Sequence, residues 1–177
     1  MVDCVSITMS MIRNPTPVNV RKLIEFNLNR AGLGRGGEHA FCRWNECTYD
    51  HFFRCADMTW HQLKTTGQQC MLFPMDFSHY CLCIYLAFAV YFMHGGIERN
   101  QCDPRVKDYV FPYLHNMKKE GVARKLTNTI RQHIDVTNMS TEDAKKHKGC
   151  YTSRSVRKGS MTENRLHPDL CIHSGGI

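Results

Sequence analysis

The sequence predicts an α+β domain, mainly helical, with a small three-stranded antiparallel sheet. Three observations lead there. Two long stretches carry apolar residues at helical spacing: Val20, Leu23, Ile24 and Leu28 in the first, and Val122, Leu126 and Ile130 in the second. Between them, three short strand-like runs are separated by turn-forming residues. The chain has 177 residues, enough for one domain with a sizeable core, and it shows no internal repeat, low-complexity tract or clear domain boundary.

Taken in order, Met1–Ile12 is mildly apolar and fits either a short strand or the end of a helix. Arg13-Asn14-Pro15-Thr16-Pro17 breaks structure and opens a helix over Val18–Arg30. Ala31-Gly32-Leu33-Gly34 ends that helix, its glycines allowing a sharp turn and close approach to a ligand. Strands are expected at Glu38–Trp44, Phe52–Thr59 and Gln69–Phe73, with Asp57–His61 on a half-buried sheet edge and Lys64-Thr65-Thr66-Gly67 as the turn. His79–His94 is apolar almost all round, so a helix there is expected at the centre of the core, capped by Gly95-Gly96.

Ile97–Lys107 reads as a polar connection, and Tyr109-Val110-Phe111-Pro112 as an apolar anchor in which Pro112 favours an extended Phe111. Lys118–Ile134 reads as a helix, and Asp135–Lys148 as a loop or a weak helix. A basic helix is expected over Thr152–Glu163. Leu166-His167-Pro168 interrupts it, and a short helix follows at Asp169–His173.

Charge and cysteine content narrow the function classes. Residues 1–110 hold 11 basic and 10 acidic residues, net +1, whereas residues 111–177 hold 12 and 6, net +6. A basic second half suits a polyanionic partner; the plain alternative is a solvated basic surface. The ten cysteines would suggest a disulfide framework in a secreted chain. Met1–Ser10 has neither the basic start nor the apolar core of a signal peptide, so thiols in a reducing compartment are expected. Cys42, Cys47, His51 and Cys55 invite a zinc reading, but their spacing matches no standard finger, and no metal or other cofactor is expected. Cys81 and Cys83 read as core. The longest apolar run, Tyr80–Phe92, has 13 residues, short of the ~20 that a spanning helix needs.

Three polar features carry chemistry. Arg35-Gly36-Gly37-Glu38 places an arginine after a helix end with an acid three residues on. The guanidinium fork suits a phosphate, and Glu38 is near enough to buttress it. Lys64 precedes a hairpin turn, from where a long side chain reaches a bound backbone. Ser153-Arg154-Ser155-Val156-Arg157-Lys158-Gly159 is a basic run on an expected helix. Each has a plain reading beside it: a surface ion pair for Arg35 and Glu38, a solvated lysine for Lys64, a solvated helix face for the basic run. Trp44 and Trp60 read as core or hairpin packing.

In their order and spacing these motifs resemble the catalytic domain of tyrosine recombinases (integrases), and most of all the eukaryotic Crypton-type branch. The likeness covers residues 13 to 177, though each motif alone is short. It implies a DNA breaking-rejoining fold and a metal-free phosphoryl transfer through a 3′-phosphotyrosine. It makes the Arg35–Glu38 run the family's first box and the Ser153–Gly159 run its second, with Arg35 and Arg157 the two phosphate-holding arginines, Lys64 the general acid and Glu38 the support of Arg35. Arg154 stands where the family has histidine, and an arginine cannot shuttle a proton near neutral pH. His173 is the nearest candidate for the third box. No tyrosine follows Tyr151, which precedes the second box, so the chain is expected to be a piece of an enzyme or a domain that has lost strand cleavage.

The implied partner is double-stranded DNA, with a second copy of the chain on the same DNA and no membrane. The implied location is the nucleus of a eukaryote, or otherwise the cell interior. Lys158, Arg43, Lys145, Lys146 and Lys148 are the further DNA-contact candidates. Two other readings stand beside it: a domesticated, non-catalytic DNA-binding or scaffold module, and a Cys/His-rich zinc protein.

Overall fold

The computed structural model describes residues 2–32, 37–63, 67–94, 108–153 and 155. Among them are five α-helices and one three-stranded sheet: α1 (Val2–Arg13), α2 (Pro17–Ala31), β1 (Cys47–Asp50), β2 (Cys55–Leu63), β3 (Gly67–Phe73), α3 (Ile84–His94), α4 (Lys119–His133) and α5 (Thr141–Cys150). The chain is therefore mainly helical with a small antiparallel sheet. The ambiguous first segment is a helix, and the polar stretch after α4 forms a helix from Thr141 onward.

The middle of the fold is α2. Pro17 occupies its first turn and the Thr16 hydroxyl accepts from the Asn19 amide at 3.2 Å, satisfying an otherwise unpaired donor. From Leu23 to Asn29 every residue is buried, because α1, α3, α4 and a 3-10 turn at Glu38–Phe41 pack around it. This corrects the expectation for the helix after His79. That segment begins with a 3-10 turn, Tyr80–Leu82, and only then becomes α3. Ile84, Ala87 and Tyr91 of α3 are buried, while Phe92 and Met93 are 55% and 76% exposed. An apolar composition made α3 look central, but one face of it is left outside. The more polar α2 is enclosed because its polar side chains find partners: Asn27 Nδ2 donates to the Cys81 carbonyl at 3.2 Å and an Arg30 guanidinium nitrogen to that of Leu82 at 3.0 Å.

The sheet is a meander in the order β1-β2-β3. Cys47 pairs with Met58 and Asp50 with Cys55; Ala56 pairs with Phe73 and Leu63 with Gly67. Two strand expectations fail. Glu38–Trp44 is not a strand: Glu38, His39 and Ala40 are buried in succession, which a 3-10 turn permits and an alternating strand does not. The residues after it pair outside the sheet, with Val110 N donating to the Cys42 carbonyl and Trp44 N to that of Asp108, both at 2.9 Å.

Nor does a strand begin at Phe52. Asp50 Oδ1 accepts from Phe52 N at 2.8 Å and Phe53 N at 2.9 Å, and Arg54 closes the turn in the left-handed region at φ 52°. The strand missed by the sequence reading is β1, four residues whose middle two are exposed. β2 is consequently the central strand and not an edge. Its Trp60 is 2% exposed, and a Cβ on Gly32 would collide with that indole, so α2 and β2 meet at a glycine. Trp44 is half-buried and packs on Phe88 and Phe92 of α3.

The apolar anchor is buried as expected, but Phe111, at φ −122° and ψ 73°, is not extended and leads into a 3-10 turn at Pro112–Leu114. Val110 and Phe111 are fully buried, and the Tyr91 hydroxyl donates to the Val110 carbonyl at 3.0 Å. α4 buries Val122, Leu126, Thr129 and Ile130 along one face. Among the described residues no helix is long and apolar enough to cross a membrane.

Candidate nucleic-acid interface

Arg35, Lys64, Arg154, Arg157, Lys158 and His173 lie outside the described residues, as do Thr65-Thr66, Gly95-Gly96, Ile97–Lys107, Leu166-His167-Pro168, Asp169–His173 and all of Thr152–Glu163 except Thr152, Ser153 and Ser155. The surroundings of the first two are described. Arg35 follows α2 and precedes the 3-10 turn that holds Glu38, which is 6% exposed. Lys64 stands in the connection between β2 and β3, where Leu63 and Gly67 are paired.

Buried polar groups gather on the two elements that flank residues 33–36. On α2, the Glu25 carboxylate is 1% exposed and accepts from the Tyr113 hydroxyl at 2.7 Å and Lys125 Nζ at 2.9 Å. Burial first, and then the Glu25 charge, hold the Tyr113 phenol well above its usual range, so it stays a donor. Lys125 Nζ also sits 4.5 Å from the centre of the Tyr113 ring. The Asn29 side-chain amide is buried without a hydrogen-bond partner. On the 3-10 turn, His39 is fully buried, neither ring nitrogen has a partner, and its ring meets Phe111 edge-on at 5.6 Å. Burial pulls the His39 pKa down to about 4, with the nearby Glu25 opposing and Lys125 assisting, so the imidazole is neutral near pH 7.

None of Glu25, Asn29, His39, Tyr113 or Lys125 was singled out from the sequence. The available signal was Glu25, Asn27 and Asn29 alternating with Phe26 and Leu28 in one helix. Apolar residues on all sides mean that polar ones between them are enclosed too.

The basic candidates separate into two places. Lys145, Lys146 and Lys148 lie on α5, with Lys145 and Lys146 exposed and Lys148 half-buried. The helix starts with an Ser140 cap, whose hydroxyl accepts from Asp143 N at 3.1 Å, and with Glu142 and Asp143 in its first turn. Its C-terminal end is tied back to α4: Arg131 Nε donates to the Tyr151 carbonyl at 3.1 Å, and Ser153 N to the Thr127 hydroxyl at 3.0 Å. The Tyr151 ring packs on His147 at 5.1 Å, so this tyrosine caps α5 and does not open the helix expected to follow. Arg43 lies elsewhere, exposed beside β1, with its guanidinium 5.1 Å from the Tyr109 ring and bonded to the Tyr109 hydroxyl at 3.2 Å.

Of the four zinc-suggesting residues, Cys42 and Cys47 approach each other, with Sγ atoms 3.6 Å apart. Cys55 lies across from Asp50 at the far end of β1, and the His51 ring meets that of Tyr49 edge-on at 5.1 Å. Among the described residues no three His, Cys, Asp or Glu side chains converge as a metal site would require. No protein-family model matches the sequence, and neither a curated protein nor a solved structure is found to match it.

Proposed function

We propose that the chain is a tyrosine recombinase-like catalytic domain that binds double-stranded DNA through its basic second half. The observation that carries this reading is the meander between the two boxes. An antiparallel β2–β3 hairpin follows the Arg35–Glu38 run, and the lysine of the pattern, Lys64, falls in its connection. A lysine so positioned suits the protonation of a leaving 5′-oxygen, and two arginines suit the charge on the phosphate. Buried polar groups on both sides of residues 33–36 add support, because such groups are costly and concentrate at functional sites. The tyrosine nearest the basic run, Tyr151, caps α5 and packs on His147, so the chain as given is expected to bind DNA without cutting it. The exposed lysines of α5 serve as phosphate contacts.

The test is a binding titration against duplex DNA at two salt concentrations. Neutralising about five phosphates gives a loss of about 500-fold between about 50 and about 200 mM salt. The variant Lys145→Glu/Lys146→Glu should bind more weakly and with a shallower salt slope. A wild-type affinity that does not change with salt would remove nucleic acid as the partner.

A further inference from the structure

We propose that Cys42 and Cys47 are a peroxide-responsive thiol pair that closes to an intramolecular disulfide. Their Sγ atoms lie 3.6 Å apart, and a disulfide bond is 2.03–2.05 Å long, so a movement of about 1.6 Å joins them. Two other thiols donate to oxygen instead: Cys70 to the Asp57 carboxylate at 2.7 Å and Cys150 to the Lys146 carbonyl at 3.4 Å.

The two thiols differ in access, and this orders the chemistry. Cys47 is half-buried, whereas Cys42 is 1% exposed. A peroxide therefore reaches Cys47 first. Its sulfur attacks one peroxide oxygen, the O–O bond breaks, and Cys47 becomes a sulfenic acid as one water leaves. The Cys42 sulfur then attacks the Cys47 sulfur, and the S–O bond breaks. The Cys42 proton goes to the departing hydroxide, which leaves as a second water. Two thiols are oxidised and one peroxide is reduced. The hydrogen bond to Cys47, and then burial, push the Cys42 thiol far above its usual range. Cys42 therefore stays a protonated thiol until it attacks, and closure accelerates with rising pH.

The closed loop would hold Arg43. In the reduced protein the Cys47 thiol donates to the Arg43 carbonyl at 3.2 Å, and the Cys42 carbonyl is paired with Val110 N. Oxidation removes that thiol donor and ties both ends of the segment that presents the Arg43 guanidinium beside Tyr109.

Trypsin cuts after Arg43, which turns the disulfide into a bond between peptides 36–43 and 44–54. The experiment treats the folded protein with hydrogen peroxide, blocks remaining thiols with an alkylating reagent, and maps the denatured digest by mass spectrometry. The expected result is loss of alkylation at Cys42 and Cys47 together, with a linked 36–43/44–54 species that a dithiol reductant separates. In Cys42→Ser, the link should vanish and Cys47 should be trapped as a sulfenic acid by dimedone. Full alkylation of Cys47 after peroxide, its over-oxidation without a link, or its joining to another cysteine would each overturn the proposal. The readout is chemical, so it stands or falls separately from DNA binding.

Discussion

His39 makes stability depend on pH in a direction that can be worked out. The folded protein holds it near pKa 4 by burial, while in the unfolded chain it titrates near its ordinary 6.5. Above about pH 7 both states carry a neutral imidazole and His39 has no effect. As pH falls through 6.5 the unfolded chain takes up a proton that the folded protein refuses, and stability is lost until the folded pKa is passed. Each pH unit inside that window is worth about 1.4 kcal/mol, so between pH 7 and pH 5 His39 alone costs about 2 kcal/mol. His133, lowered by burial and by Lys22, adds in the same direction. The assay is urea unfolding of wild type and His39→Leu at pH 7, 6 and 5. The leucine variant has its own packing change, but that change is independent of pH, so only the difference in pH slope matters. If wild type loses no more stability than His39→Leu between pH 7 and pH 5, the burial argument is wrong.

Other outcomes follow from the same packing. Gly37→Ala places a Cβ 2.7 Å from the Lys119 carbonyl oxygen, where α4 begins and backbone cannot step aside, and should cost on the order of 2 kcal/mol in denaturant unfolding. Gly149→Ala meets nothing within 4 Å in α5 and should stabilise by about 0.5–1 kcal/mol in the same assay. Lys125→Met strips the cationic partner from a nearly buried Glu25, leaving it the Tyr113 hydroxyl, and should cost about 3 kcal/mol; adding Glu25→Gln should recover part of that loss, and strictly additive losses in the double variant would show the pair to be uncoupled. With a nicked duplex, the protein should form no covalent adduct on a denaturing gel. An adduct abolished by Tyr151→Phe would make that capped, packed tyrosine a nucleophile after all.

What the residues determine by themselves is local. Thr16-Pro17 caps a helix wherever that helix sits, and the periodic spacing of Val122, Leu126 and Ile130 gives α4 its buried face. The meander's last hairpin was legible because Gly67 and the preceding threonines punctuate two runs of strand formers. The Arg35–Glu38 run and Lys64 stand out in the sequence by residue type alone, and the proposed site rests on that pattern.

Position in the core was not visible, because it depends on which surfaces meet. α3 has the more apolar sequence, yet Phe92 and Met93 face outward, and α2 is enclosed with Glu25 inside it. No property of Glu25 in the sequence announces Lys125, a hundred residues away, as the partner that makes its burial tolerable. The stretch from Glu38 to Trp44 illustrates the same point. Its residues favour a strand, but the helices around it bury three consecutive side chains, and its carbonyls and amides find partners at Asp108 and Val110 instead of in the sheet. Local preference is worth about 1 kcal/mol per residue, and burial of a few large side chains outweighs it.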